Sequence, residues 1–368
     1  MSRSQERELA QLLVTYSVRL RPGERCLINA VDVPERMVEE LVRAVYDAGG
    51  YPQVNLSTAR IERALLSSCT PESLAGWADA DMYRMKQMDA FIGIRGITNP
   101  RELSGIGEHN TWYMTHYQSP VHHDVRVPHT KWVVLRYPTQ LMAYQAQMGT
   151  QEFEEYVFRV MTQVDYRAMG AAMVPAKAFL DQADQVRIVA KDTDISFSIK
   201  GMGSVPCAGL RNIPDGEIYS CPIKESVEGV ITYNTASTYQ GHCFTDVSFT
   251  VHKGKIVQAS ADDVKAINAI LDTDEGARYF GEFALGCNPQ ITFAMDNTLF
   301  DEKIAGSIHL TPGNAYAECD NGNRSAIHWD LVQIQTPQYG GGSVFIDGEL
   351  IRLDGRFVHE AFEALNFS

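Results

Sequence analysis

Five side chains in the second half of this 368-residue chain have the chemistry of a divalent-metal site. They fall in four short segments: 212–217 (NIPDGE), 281–286 (GEFALG), 306–310 (GSIHL) and 325–330 (SAIHWD). Successive side chains on a strand point to opposite faces. Read this way, Glu282 lies opposite Phe283 and Leu285, and His309 opposite Ile308 and Leu310. His328 and Asp330 share one face, while Ile327, Trp329 and Leu331 share the other. Each apolar face can anchor its segment in a core and leave the polar face to project into the remaining space. Taken singly, such a segment is also the pattern of a structural hydrogen-bonded pair. Taken together, Glu217, Glu282, His309, His328 and Asp330 suit hydrolytic zinc, cobalt or manganese. Buried carboxylates and imidazoles must be paired or metal-bound. Three carboxylates give −3. Two divalent ions give +4 and leave room for one hydroxide, which fits a two-metal site better than a single ion.

Other candidates carry less. His109, His116, His122, His123 and His129 fall within 21 residues, but no pair has His-x-x-x-His spacing on an evident helix. Pro120 and Pro128 favour a loop there, with the histidines at its surface or lining a cleft. No Gly-x-Gly-x-x-Gly follows the first strand, so a dinucleotide site is not supported. The glycine run at 340–342 lacks the lysine of a phosphate loop.

The runs NIPDGE (212–217), SVEG (226–229), GARYFGEFALG (276–286), DEKIAGSIH (301–309) and NRSAIHWD (323–330) resemble the thermophilic metallo-aminopeptidase family that contains aminopeptidases T and S. The spacing agrees as well: 65 residues from Glu217 to Glu282, 27 to His309, 7 to Tyr316, 12 to His328 and 2 to Asp330. The similarity extends to 92–100 and 132–139 and so covers most of the chain. The resemblance implies that Glu217, Glu282, His309, His328 and Asp330 are metal ligands and that Tyr316 is the tyrosine of the metal site. It also implies a homodimer with an α/β first domain and a second domain that holds two metals.

The expected activity is therefore removal of N-terminal residues from peptides with a free N-terminus, using two divalent ions (Zn, Co or Mn). Glu217 or Glu282 would take the proton of the attacking water and return it to the leaving amine. Tyr316 would ligate weakly or donate to the developing oxyanion. Two rivals stand beside this reading. One is a mononuclear iron ring-cleaving dioxygenase on the same scaffold, with iron on His309, His328 and Asp330. The other is a non-catalytic peptide-binding protein.

These residues need a frame to position them. Residues 3–19 read as a helix, 26–31 as a strand, and 34–47 as a helix with Val38, Leu41, Val42 and Val45 on one face. Gly49 and Gly50 stop it. Residues 51–56, 90–94 and 132–135 are further strands, so parallel βα units are expected. Residues 150–180 are mainly helical. Beyond them the pattern changes to short alternating runs. Strand pairs are expected around Lys253-Gly254 and around Asp347-Gly348. The expected division is an α/β domain over 1–182 and an α+β, mostly antiparallel, metal-binding catalytic domain over 183–368.

Composition sets the outer bounds. The chain is 45% hydrophobic and 21% charged, with 32 basic and 46 acidic residues and net charge −14. No Lys/Arg-rich run stands out, which argues against nucleic-acid and anionic-membrane partners. The seven cysteines are odd in number, widely spaced and without Cys-x-x-Cys. That argues against a disulfide framework or zinc ribbon and for a reducing compartment. The N-terminal apolar run is too short for a membrane span and lacks a signal-peptide layout. A cytoplasmic protein is expected.

Overall fold

The structure, a computed structural model, describes residues 3–366. The chain divides into two compact units. The first comprises the residues up to Gln163 and Gly209–Ile213. The second comprises Val164–Ala208 and the residues from Pro214 onward.

In the first unit, five strands run parallel in the order Tyr51–Ser57, Arg25–Val31, Ala90–Gly96, Lys131–Tyr137 and Asn212–Ile213. Parallel neighbours need crossovers, and helix Glu35–Asp47 supplies the first of them. Its Val38, Leu41 and Val45 are buried. Gly49, at φ +76°, turns the chain out of the helix, and its N–H donates to the Tyr46 carbonyl at 2.8 Å. The N-terminal helix Arg3–Leu12 widens into a π-type turn over Leu13–Ser17.

The histidine-rich stretch is helical rather than looped. Met114–Arg126 coils as a wide helix around Pro120, and Val127–His129 continues it through Pro128. Proline lacks an N–H, and a wide turn accommodates the carbonyl it leaves unpaired.

Among the described residues, every strand pair of the second unit is antiparallel, and an isolated bridge between Asn288 and Ile304 is parallel. An eight-stranded sheet runs in the order Lys255–Ser260, Ser248–His252, Glu228–Thr232, Thr193–Ser198, Gln185–Ala190, Gly342–Ile346, Glu349–Leu353 and Arg356–Phe357. Its two expected hairpins turn at Lys253-Gly254 (φ +47° and +77°) and Asp347-Gly348 (φ +51° and +84°). Two successive left-handed residues match the twist of such hairpins. A five-stranded sheet runs in the order Val332–Ile334, Ser307–Pro312, Phe280–Gly286, Glu217–Ser220 and Val205–Cys207. The two sheets share a core, where Phe197 meets Phe283 edge to face at 5.0 Å.

The division falls before helix Tyr166–Leu180, not at 182. That helix buries Met169, Met173, Ala176 and Leu180, and it packs on strands Val205–Cys207 and Glu217–Ser220. Helical periodicity alone does not say which sheet such a face covers.

Candidate metal centre

The three adjacent strands at the centre of the five-stranded sheet carry the three most deeply buried candidates. Register places Glu282 opposite Thr311, Ala284 opposite both His309 and Tyr219, and Gly286 opposite Glu217. Opposed residues share a face, so Glu217, Glu282, His309 and Thr311 all project from one side. Phe283, Leu285, Ile308 and Leu310 point the other way and are buried. Gly286, opposite Glu217, permits a close backbone approach, since a Cβ there would lie 2.4 Å from both the Ile304 carbonyl and the Ser307 hydroxyl.

His328 and Asp330 arrive from a different direction. Their segment is extended but forms no strand, and its one β-bridge joins His328 to Gly313. Gly313 sits at φ +111°, and a Cβ on it would meet the Ile327 carbonyl at 2.1 Å. Glycine therefore permits both the turn and the close approach. Ile327, Trp329 and Leu331 are buried, which turns His328 and Asp330 inward. The Trp329 indole N–H donates to Ser237 Oγ at 2.9 Å.

The five side chains meet. His309 Nε2 lies 3.5 Å from Glu217 Oε2 and 3.4 Å from Glu282 Oε1. His328 Nε2 lies 3.1 Å from Glu282 Oε2 and 3.2 Å from Asp330 Oδ1. Glu282 thus faces one imidazole with each oxygen. Two sets of ligand atoms, Glu217–Glu282–His309 and Glu282–His328–Asp330, each lie within 4.8 Å of one another. The Thr311 hydroxyl donates to Asp330 Oδ1 at 2.7 Å and fixes that carboxylate. Tyr316 stacks its ring at a tilt on His328, with centroids 4.5 Å apart.

The polar atoms fit a metal. His328 Nδ1 donates to the Asn314 carbonyl at 2.8 Å, so in the neutral ring Nε2 carries the lone pair. That Nε2 and Glu217 Oε2 are buried without a hydrogen-bond partner, although carboxylates or an imidazole stand nearby. Buried polar atoms are seldom left so.

The electrostatics reflect the crowding. Burial disfavours the His309 imidazolium, but the hydrogen bond to Glu282 and the charges of Glu217 and Glu282 outweigh it and raise the pKa to about 9. His328 is pushed up in the same way, against burial, by Asp330 and Glu282. Burial raises Glu217, with Lys303 and His309 opposing. Asp330 is held well below the carboxylate range, because His328, His309 and Thr311 outweigh its burial. Tyr316 is 43% exposed, yet the packing around it and the charges of Glu282 and Asp330 push its hydroxyl well above its ordinary range.

Three further charged groups adjoin the centre. Lys303 is fully buried and pairs with Glu217, with Glu302 at 2.8 Å and with Asp215 at 3.7 Å. All three lie inside the family-like runs, Glu302 and Lys303 in a turn and Asp215 in the irregular stretch before its strand, where no alternation marks a residue as buried. Thr311 joins them, and its place two residues after His309 on the same strand face is the signal in the sequence. Among the described residues, the histidines between 109 and 129 join no group able to hold a metal.

A model of the thermophilic metalloprotease (M29) family matches residues 2–345. Aminopeptidase 2 of Geobacillus stearothermophilus is 23% identical over 412 aligned residues, covering 95% of each chain. The solved structure of wild-type AmpT from Thermus thermophilus superposes with a TM-score of 0.80 at 21% identity, covering 97% of this chain and 99% of that one. The 2,5-dihydroxypyridine dioxygenase of Pseudomonas putida KT2440 superposes with a TM-score of 0.64 at 14% identity, covering 98% and 99%.

Proposed function

The chain belongs to the thermophilic metalloprotease (M29) family and is a metal-dependent aminopeptidase acting on peptides, and we propose that it works with two divalent ions that share Glu282. Glu217, Glu282 and His309 would hold one ion, and Glu282, His328 and Asp330 the other. The observation that carries this is the two-sided placement of Glu282, one oxygen toward each imidazole.

Charge counting supports the number. Glu217, Glu282 and Asp330 contribute −3, Asp215 offsets Lys303, and burial pushes Glu302 well above the carboxylate range, so two divalent ions at +4 leave room for one hydroxide. When bound, such ions supply a water with pKa near ~7 and a polarised scissile carbonyl. The side chains do the rest. Glu217 or Glu282 takes the water's proton and returns it to the leaving amine. Tyr316, kept protonated by the packing around it and by the nearby carboxylates, donates its hydroxyl hydrogen to the developing oxyanion. The carboxylates also pair with the substrate's free amine, which is the basis for cutting only at the N-terminus.

The iron dioxygenase alternative uses His309, His328 and Asp330 alone. It leaves Glu217 and Glu282 in contact with His309 without a task. Zinc, cobalt and manganese all suit the donor set, since it mixes imidazole and carboxylate. We also infer a homodimer, on the family resemblance. All seven cysteines are free, which supports a reducing, cytoplasmic setting. No helix among the described residues is long and apolar enough to cross a membrane.

The test is chelation followed by reconstitution, read on aminoacyl-nitroanilides and on peptides with free or acetylated N-termini. Chelation should abolish hydrolysis, Co²⁺, Zn²⁺ or Mn²⁺ should restore it, and acetylated peptides should stay intact. Full activity after verified metal loss would end the metallopeptidase reading. Equal cleavage of acetylated peptides would end the exopeptidase one.

A further inference from the structure

The turn after helix Thr298–Asp301 places a cation against the metal centre from outside. Lys303 is held there by its backbone: its N–H donates to the Phe300 carbonyl at 3.0 Å, and its carbonyl accepts from Asn288 N–H at 2.9 Å. Asp301 fixes the same turn by accepting from the N–H groups of Met295 (2.8 Å) and Asn297 (3.1 Å). The Lys303 ammonium then meets Glu217 Oε1, Glu302 and Asp215. Neutralising one buried ammonium takes one carboxylate, and here there are three.

Two of the three, Asp215 and Glu217, belong to a third set of ligand atoms. Cys207, Asp215 and Glu217 also lie within 4.8 Å of one another. A thiolate with two carboxylates suits a thiophilic divalent ion such as Zn²⁺, Co²⁺ or Cd²⁺. Both carboxylates of that set face Lys303 instead. Glu217 is the residue shared with the inner centre, and its Oε2, turned toward His309, is the atom without a hydrogen bond.

We propose that Lys303 is a positioning residue that stands in for a third ion: it occupies Oε1 of Glu217, leaves Oε2 alone for the inner centre, and keeps a sulfur-ligated metal from forming on Cys207. The proposal rests on the two-ion reading of the site. Without Lys303, an ion on Cys207, Asp215 and Glu217 would take the Oε1 of Glu217 that Lys303 now occupies. Binding it would release the thiol proton to solvent.

The experiment uses the full chain, stripped of metal and titrated with Co²⁺. Two variants are compared with the wild type: Lys303→Met, and Lys303→Met with Glu302→Gln, which keeps the net charge and protects against failure to fold. Ions per chain are counted after desalting, and thiolate-to-cobalt charge transfer is followed in the near ultraviolet. The wild type should bind two ions with no thiolate band. Either variant should bind one more and gain the band, and adding Cys207→Ser should remove both, which separates Cys207 from the nearby Cys287. A variant that folds and shows neither a third ion nor a thiolate band overturns the proposal. A thiolate band from Cys207 in the wild type under excess Co²⁺ or Cd²⁺ overturns it without any Lys303 variant. A wild type that binds one ion and shows no band contradicts the two-ion reading instead. The added sulfur-ligated ion in the variants would then still decide the role of Lys303.

Discussion

Two regions of this molecule invite a metal reading through their histidines, and among the described residues only one brings carboxylates and imidazoles together. Between residues 109 and 129, five imidazoles lie on one continuous helical stretch. His122 there is lowered to about 4, first by burial and then by Arg126 and His123. In the second unit, His309 and His328 come from segments that share no local sequence, and His309 is raised to about 9. The difference lies in what converges on each ring. Antiparallel register brings Glu217 and Glu282 to His309, whereas the helical stretch brings His122 another imidazole and an arginine. A local surplus of one residue type does not make a site, but distant residues on one sheet face can.

The sharpest way to break this contrast is substitution in both regions. His328→Ala and Asp330→Ala should each lower bound metal and cut peptide hydrolysis beyond the ~10–100-fold that outer-shell changes cost. The fold should persist, because Ile327, Trp329 and Leu331 remain buried. His122→Ala and His123→Ala should leave metal content and rate alone. Metal loss in the second pair, or its retention in the first, would undo the comparison. Inductively coupled plasma analysis and initial rates decide it.

A smaller effect probes the anchoring face. Trp329→Ala should destabilise by ~3–5 kcal/mol through the cavity it leaves. It also strands the Ser237 hydroxyl, which accepts the indole N–H. Denaturant midpoints measure this, and a loss below ~1 kcal/mol would mean the segment is held mainly by its polar partners.

The smallest effect is in pH. In the metal-free protein His309 is raised above its ordinary value, so the fold binds a proton that the unfolded chain lacks between 6.5 and about 9. That contribution is complete below 6.5 and is lost as pH rises through about 9. His122 works in the opposite sense. Lowered to about 4, it stays neutral while the unfolded chain takes up a proton, so stability falls as pH drops from 6.5 toward 4. Melting temperatures across pH should lose the acid limb in His122→Gln and keep the alkaline one. An unchanged acid limb would show that burial of His122 is not its cause.

Much of this architecture could be read from the chain. The parallel strands announced themselves as apolar runs separated by a capped helix, and the two hairpins by Lys-Gly and Asp-Gly between alternating runs. The alternation around Glu282, His309 and Trp329 also gave the correct face for each side chain. What escaped was set by tertiary contact. Helix Tyr166–Leu180 has an apolar face that either unit could cover. Pro120 reads as a helix breaker until a wide turn absorbs it. Asp215, Glu302 and Lys303 lie outside strands and helices, where burial follows from what folds over them and leaves no period in the sequence.

Whether Glu282 serves two ions at once is decided by counting them. Metal-stripped wild type and Glu282→Gln should be titrated with Co²⁺, with bound ions and aminoacyl-nitroanilide hydrolysis followed at each addition. Two ions per wild-type chain are expected, with activity that tracks their occupancy, and Glu282→Gln should lose at least one ion and most of the rate. A wild type that binds one iron, consumes oxygen, and keeps both properties in Glu282→Gln would contradict it.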